Sequence, residues 1–302
     1  MTSDSGDPVS YLDSLSNWGR WGEKDQLGTL NFIDERKRLA AAALIRQGVS
    51  LSCARPLGSD PRRPGFLHFM TMTGELVPAW GAGFASDWFG MPIHSAVTHI
   101  DAHSHVSWEG KLYNGASIDA IDVHAGARAG SVELLADGIV SRGVLLDIPL
   151  AQGRRWLDPG EPVMPADLDR CAAQCDVQVG QGDVLLIRTG HDAHRSADPS
   201  VDASDAAPGL HASCLPWLHE HAVAALGSDA ANDVQPSGYP GLGLPVHTVG
   251  LVAMGLWLLD RLLLEDLAVH CAQAGRWEFC FVAAPLRLKH STGSPVNPLA
   301  LF

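Results

Sequence analysis

The sequence predicts a mixed α/β fold, and three observations carry that expectation. Short apolar runs bounded by Gly and Pro read as strands, helix-like stretches alternate with them after residue 140, and the chain before that point is richer in strand-like sequence. A chain of 302 residues, 46% hydrophobic and 18% charged, is long and apolar enough to bury a sizeable core.

Taken in order, residues 1–35 mix Gly, Trp and charge without a period and are expected to form an irregular N-terminal arm. Residues 35–47 begin with charges, continue as a Leu/Ala/Ile run and stop at Gly48, which predicts a helix. Strands are expected over 65–73, 95–101, 143–148, 184–188, 222–227 and 279–283. Helices are expected over 165–175, where Pro165 and an Asp pair suit a first turn, and over 207–221 and 262–274. The Pro/Gly-rich segment 236–245 reads as a long loop of the kind that often carries function. Nothing resembling a linker divides residues 36–302, which read as one domain.

Charge limits the partners. With 21 Lys+Arg against 34 Asp+Glu the net charge is −13, so neither a nucleic acid nor a membrane surface is expected as a partner, because both are bound through clustered Lys and Arg. The first residues have neither the basic start nor the apolar core of a signal peptide, and the longest uncharged apolar stretch, 249–259, is shorter than the roughly 20 residues a bilayer requires. A cytoplasmic chain is the expectation. The six Cys are scattered, and Cys171 and Cys175 lack the CxxC spacing of a zinc knuckle, so they read as buried apolar residues.

The chemistry concentrates in one place. Four of the 14 His (His94, His99, His103 and His105) fall within twelve residues, together with Asp101. On a strand, His99 and Asp101 share a face while Thr98 and Ile100 take the other. An imidazole and a carboxylate two residues apart can chelate one ion, and the nitrogen content suits Zn²⁺ or Mn²⁺ better than Ca²⁺ or Mg²⁺. His105 lies six residues beyond His99, so it reaches the same site only if the chain turns after Asp101. No GxSxG elbow, phosphate-binding loop or dinucleotide fingerprint is present.

The run Thr98-His99-Ile100-Asp101-Ala102-His103-Ser104-His105 resembles the THxDxxxH signature of the cyclase/kynurenine formamidase family of metal-dependent hydrolases. Residues 17–22 and 27–31 look like the arm of its longer, isatin-hydrolase-like branch, and 142–148, 182–190, 226–229 and 284–296 follow in the family's order. The resemblance implies a swivelling β/β/α domain around a mixed β-sheet, with 36–302 as the catalytic domain. It implies His99 and Asp101 as metal ligands, His105 as the catalytic histidine, and His247 and Asp260 as the downstream ligands.

Two departures bear on the metal count. The family's two-metal members carry a His where this chain has Ser95, and His94 is one residue off, which on a strand turns it to the opposite face. The family's downstream Glu is the shorter Asp260. Both changes point to one divalent ion per chain, Mn²⁺ or Zn²⁺.

For substrate contacts the expectation falls on His103, which shares strand parity with His99, and on His191, where relatives place an aromatic residue. Trp80, Trp88 and Phe89, with Phe84, read either as the wall of an aromatic-substrate pocket or as ordinary core packing. Asp229, at the end of an apolar run, reads either as functional or as a cap for backbone N–H groups.

The resemblance implies a small-molecule substrate and a homodimer or homotetramer, with the arm on a neighbour. The reaction expected is opening of a cyclic amide or cleavage of an aryl formamide by metal-activated water, with His105 as general base. Two alternatives stay open: a metal-dependent lactonase, cyclase or dehydratase, and a non-catalytic metal- or ligand-binding protein.

Overall fold

The structure, a computed structural model, describes residues 7–58, 66–94, 97–203 and 206–302. Among these, nine strands form one mixed sheet in the order Ser50–Ser52, Leu299–Leu301, Glu278–Ala283, Ile139–Asp147, Val184–Arg188, Ala225–Ser228, Trp257–Asp260, His99–Asp101 and Gly293–Pro295. The run from Ile139–Asp147 to Trp257–Asp260 is parallel and its flanks are antiparallel. The fold is therefore the mixed α/β class that the sequence predicts.

The central strands are continuous Val/Leu/Ile runs because both of their faces are buried. Leu185 and Ile187 pack into one apolar cluster, and Val184 and Leu186 into the other. The first cluster holds the helices Pro165–Gln174 and Cys214–Glu220, and the second holds Glu265–Ala274 and the aromatic pair Phe279 and Phe281. Helix starts follow local chemistry: Asp34 accepts from Lys37 N at 2.6 Å, and Asp167 accepts from Met164 N at 2.9 Å.

Several boundaries differ from the sequence expectation. The helix expected over 207–221 begins only at Cys214, because Gly209–Leu210 pairs as a parallel strand with Pro162–Val163. The helix expected over 35–47 ends at Ala42. Of the run expected over 65–73, residue 65 lies outside the described residues and 67–73 begin a longer strand, Leu67–Val77, which pairs with Ala82–Gly90 as a two-stranded ribbon. Among the described residues no other element packs extensively on that ribbon.

The N-terminal segment docks on its own chain. Asn17 N and Nδ2 donate to the carbonyls of Ala253 and Met254 at 2.9 and 2.8 Å, and Trp18 Nε1 donates to Val252 O at 2.7 Å. Those carbonyls belong to a π-helical turn, Thr248–Met254, that follows directly from Pro245–His247. A π turn leaves carbonyls outside the regular helical ladder, and here the arm supplies their donors. Among the described residues no helix is long and apolar enough to cross a membrane.

Candidate metal centre

His99–Asp101 is a three-residue strand held on both sides, with Asp260 across from His99 and Leu258 across from Asp101. Ile100 points into the core, and His99 and Asp101 point the other way, as the alternation predicts. The strand stops at Asp101. His105 N bonds Ala102 O at 2.8 Å and Ala102 N bonds Thr292 O at 2.9 Å, which supplies the turn His105 needs.

Among the described residues, two groups of ligand atoms converge, each within 4.8 Å. One is His94, His99 and Asp101, and the other is Asp101, His247 and Asp260, so Asp101 belongs to both. Asp101 Oδ1 lies 2.8 Å from His94 Nδ1 and 3.4 Å from His99 Nε2. Its Oδ2 lies 3.3 Å from His247 Nε2, which in turn is 3.3 Å from Asp260 Oδ2.

His94 is where strand parity misleads. Residues 91–94 and 97–98 are not strand, so counting back from His99 says nothing about where residue 94 points. His94 lies against Asp101, its Nε2 is 2.9 Å from Thr292 Oγ1, and its ring stacks on His105 with centroids 3.5 Å apart. Ser95, the position used to argue against a second ion, lies outside the described residues.

Two orienting groups set the tautomers. His99 Nδ1 is 2.8 Å from Val97 O, which can only accept, so Nδ1 carries the proton and Nε2 turns toward Asp101. His247 Nδ1 donates to Asp233 Oδ2 at 2.5 Å, leaving Nε2 for Asp101 and Asp260. Asp233 also accepts from Val246 N and His247 N, and Asn232 Nδ2 donates to Asp260 Oδ1 at 2.6 Å. The adjacent pair Asn232 and Asp233 thus positions two ligand candidates, and no motif in the sequence announced either residue.

These residues fit a divalent cation. Nε2 lone pairs facing carboxylate oxygens repel unless a proton or a metal ion lies between them, and among the described residues Asp101 Oδ2 is buried with no hydrogen-bond partner. A tetrahedral ion with bonds near 2.1 Å spaces its ligand atoms by roughly 3.4 Å, close to the separations found here. Burial opposes the charge on Asp101, but His247, His94 and His99 outweigh it and hold its carboxyl well below the usual range. Burial likewise opposes charge on His247, yet Asp260, Asp101 and Asp233 raise it well above an ordinary imidazole. Both shifts describe a pocket of concentrated negative charge that a cation relieves. His105 goes the other way: burial pushes it down to about 4 against the pull of Asp101, leaving a neutral imidazole beside the cluster.

The other expected site residues lie elsewhere. His103 is fully buried against the arm, with Nδ1 3.1 Å from Gln26 O and its ring 4.8 Å from Tyr113 and 4.5 Å from Trp257. It joins neither ligand group, because the chain leaves the strand before parity can carry it to the face of His99. His191 is the buried first residue of the helix His191–Ala197. Asp229 accepts from Thr189 N, Thr189 Oγ1, Gly190 N and His191 N at 2.7 to 3.2 Å, so it caps that helix. Trp80, Trp88 and Phe89 are exposed on the ribbon, and of these Phe89 lines a pocket described below.

A mixed sheet with a carboxylate- and imidazole-lined centre at His99–Asp101 defines an α/β protein with a candidate metal centre. The chain belongs to the cyclase family, whose pattern, described as "Putative cyclase", it matches over residues 38–232. It is similar to a crystal structure described as a novel cyclase, with 34% identity over 95% of this chain and 99% of that one and a TM-score of 0.88. Isatin hydrolase A from Ralstonia solanacearum shares 22% identity over 89% of this chain and 97% of that one, with a TM-score of 0.59. A structure described as a predicted metal-dependent hydrolase from Bacillus stearothermophilus shares 18% over 84% and 98%, with a TM-score of 0.52, so both show a shared fold. A search of curated proteins returns no match.

Proposed function

We propose that the chain is a metal-dependent hydrolase that opens a cyclic amide or cleaves an aryl formamide, with His105 as general base. The observation that carries the reading is the convergence of two tautomer-fixed Nε2 atoms and two buried carboxylates beside a neutral imidazole. Membership of the cyclase family and the fold shared with isatin hydrolases support the amide as substrate.

His99, Asp101, His247 and Asp260 would hold one divalent ion, Mn²⁺ or Zn²⁺, which when bound acidifies water and polarises a carbonyl. His105 takes the proton from the attacking water on its free imidazole nitrogen and returns it to the departing nitrogen. Asp233 and Asn232 keep His247 and Asp260 from rotating as charge develops. The membership of Asp101 in both groups favours a second reading of the metal count, in which His94, His99 and Asp101 would help to hold a second ion.

The partner in this reading is a small molecule, and a net charge of −13 suits neither nucleic acid nor an anionic membrane surface. The assembly is a homodimer or homotetramer. Support comes from the ribbon, where Leu67, Leu76 and Trp80 are 59%, 65% and 69% exposed beside Phe69, Trp88 and Phe89. A two-stranded ribbon is marginal alone in water, and an apolar surface of this kind calls for a cover.

Turnover of N-formyl arylamines, isatin-like lactams and lactones in ¹⁸O-labelled water tests the reaction. The proposal requires one ¹⁸O in the acid released from a formamide or lactam. Activity confined to lactones, or water loss without label uptake, assigns the chain to the lactonase, cyclase or dehydratase class.

A further inference from the structure

Of the signature residues Thr98, His99, Asp101 and His105, only Thr98 has no part in the chemistry described so far. It belongs to neither group of converging ligand atoms. It is 2% exposed, in the wall of a pocket of about 530 Å³ that Arg55, Phe89 and Val296 also line.

The Thr98 hydroxyl is fully committed. Oγ1 donates to Arg261 O at 2.6 Å and accepts from Arg55 N at 2.9 Å. These bonds sit where the backbone ladder stops. His99 and Asp260 are the last paired residues of their two strands, and the next pair in register would be Thr98 and Arg261. Arg261 instead turns into the left-handed region, with φ +59°, and its N–H goes to Ala230 O at 2.9 Å. A residue with a Cβ keeps such a backbone only where its surroundings impose it. On the other flank Pro295 lies opposite His99 and has no N–H to donate. The first backbone bond beyond it runs from Val296 N to Thr98 O at 3.2 Å. The Thr98 side chain thus closes the end of the pairing that carries His99 and Asp260, where the backbone does not.

We propose that Thr98 is a positioning residue for the metal centre. Its hydroxyl ties the residue before His99 to the residue after Asp260, and so fixes how far apart those two ligand candidates stand. Arg55 N completes the tie from a further segment, which is itself anchored by the bond from Arg55 Nε to Asp192 at 3.0 Å. Ligand atoms must be held to within about 0.5 Å to bind an ion well, so slack at this end of the strands reaches the ion directly. The inference rests on the metal centre of the hydrolase reading above.

Zinc affinity of the full chain, read by competition with a chromophoric chelator, tests this without turnover. Thr98→Val keeps the shape and removes the hydroxyl, and affinity is expected to fall about tenfold. Thr98→Ser keeps the hydroxyl and is expected to stay within about threefold of the wild type. A hydroxyl that served only the fold would lower the thermal midpoint of Thr98→Val and leave its zinc affinity where it was. Thr98→Ala carries the same expectation as Thr98→Val and serves if that variant does not fold. Affinity of Thr98→Val within about twofold of the wild type overturns the proposal and leaves the metal centre standing. A loss in Thr98→Ser as large as in Thr98→Val does the same. A wild-type protein that binds no zinc overturns both the proposal and the centre it rests on.

Discussion

Asp233 Oδ2 sits 2.5 Å from His247 Nδ1, and the same carboxylate holds the backbone N–H groups of Val246 and His247. One side chain thereby fixes the position, rotation and tautomer of a ligand candidate whose Nε2 faces Asp101 and Asp260. Asp233→Asn keeps the volume and weakens the acceptor. Metal affinity is expected to fall by about 10- to 100-fold, read by competition with a chromophoric chelator, while the thermal midpoint of the metal-free protein changes little. Unchanged affinity would show that Asp233 serves only the turn before His247.

His105 stacks on His94 and is held neutral by burial. His105→Ala should therefore cost about 10²- to 10⁴-fold in kcat and leave bound metal per chain unaltered. Full turnover in that variant removes His105 as the base, and loss of metal would make it a ligand instead.

Burial brings His103 down to about 4, whereas an imidazole in the unfolded chain titrates near 6.5. The unfolded state binds the extra proton between those values, so this contribution is fully present above pH 6.5 and is lost as the pH falls toward 4. The loss is up to about 3 kcal/mol at the acid end. His103→Gln should flatten the slope of stability against pH over that window, measured by urea unfolding of metal-free protein. A slope matching the wild type would contradict the burial of a neutral ring.

Gly28 has φ +58°, and a Cβ there would come within 2.1 Å of Gly255 O. Gly28→Ala combines backbone strain with a backbone clash, and a loss of about 2–4 kcal/mol in unfolding free energy is expected. The arm meets the chain here, since Thr29 N donates to Gly255 O at 2.9 Å. A change below about 0.5 kcal/mol would mean that the arm contributes little to the fold.

What the sequence made legible follows from which interactions are local. Val184–Arg188 was readable because a strand buried on both faces must be apolar throughout. His99 and Asp101 were readable because alternation within one strand puts them together, and the turn that His105 needs was deducible from chain geometry. His94 lies beside Asp101 because the strand begins only at His99, so strand parity does not govern where residue 94 points. Parity does not place His103 on the face of His99 either, because the strand ends at Asp101. The helix expected over 207–221 lost its first residues to a strand pairing with Pro162–Val163, a long-range contact that no local period encodes. Asn232 and Asp233 act on residues 28 and 14 positions away, respectively, through hydrogen bonds that exist only once the fold has formed.

Metal content tests the central claim most directly. Protein purified without a His tag, measured by plasma mass spectrometry beside a His99→Ala/Asp101→Ala variant, should carry a stoichiometric divalent ion that the variant lacks. One Mn or Zn per chain fits a single ion held by His99, Asp101, His247 and Asp260, and two per chain would assign the second to the group containing His94. No metal in the wild type after reconstitution, or an equal amount in the variant, would contradict a metal centre at Asp101.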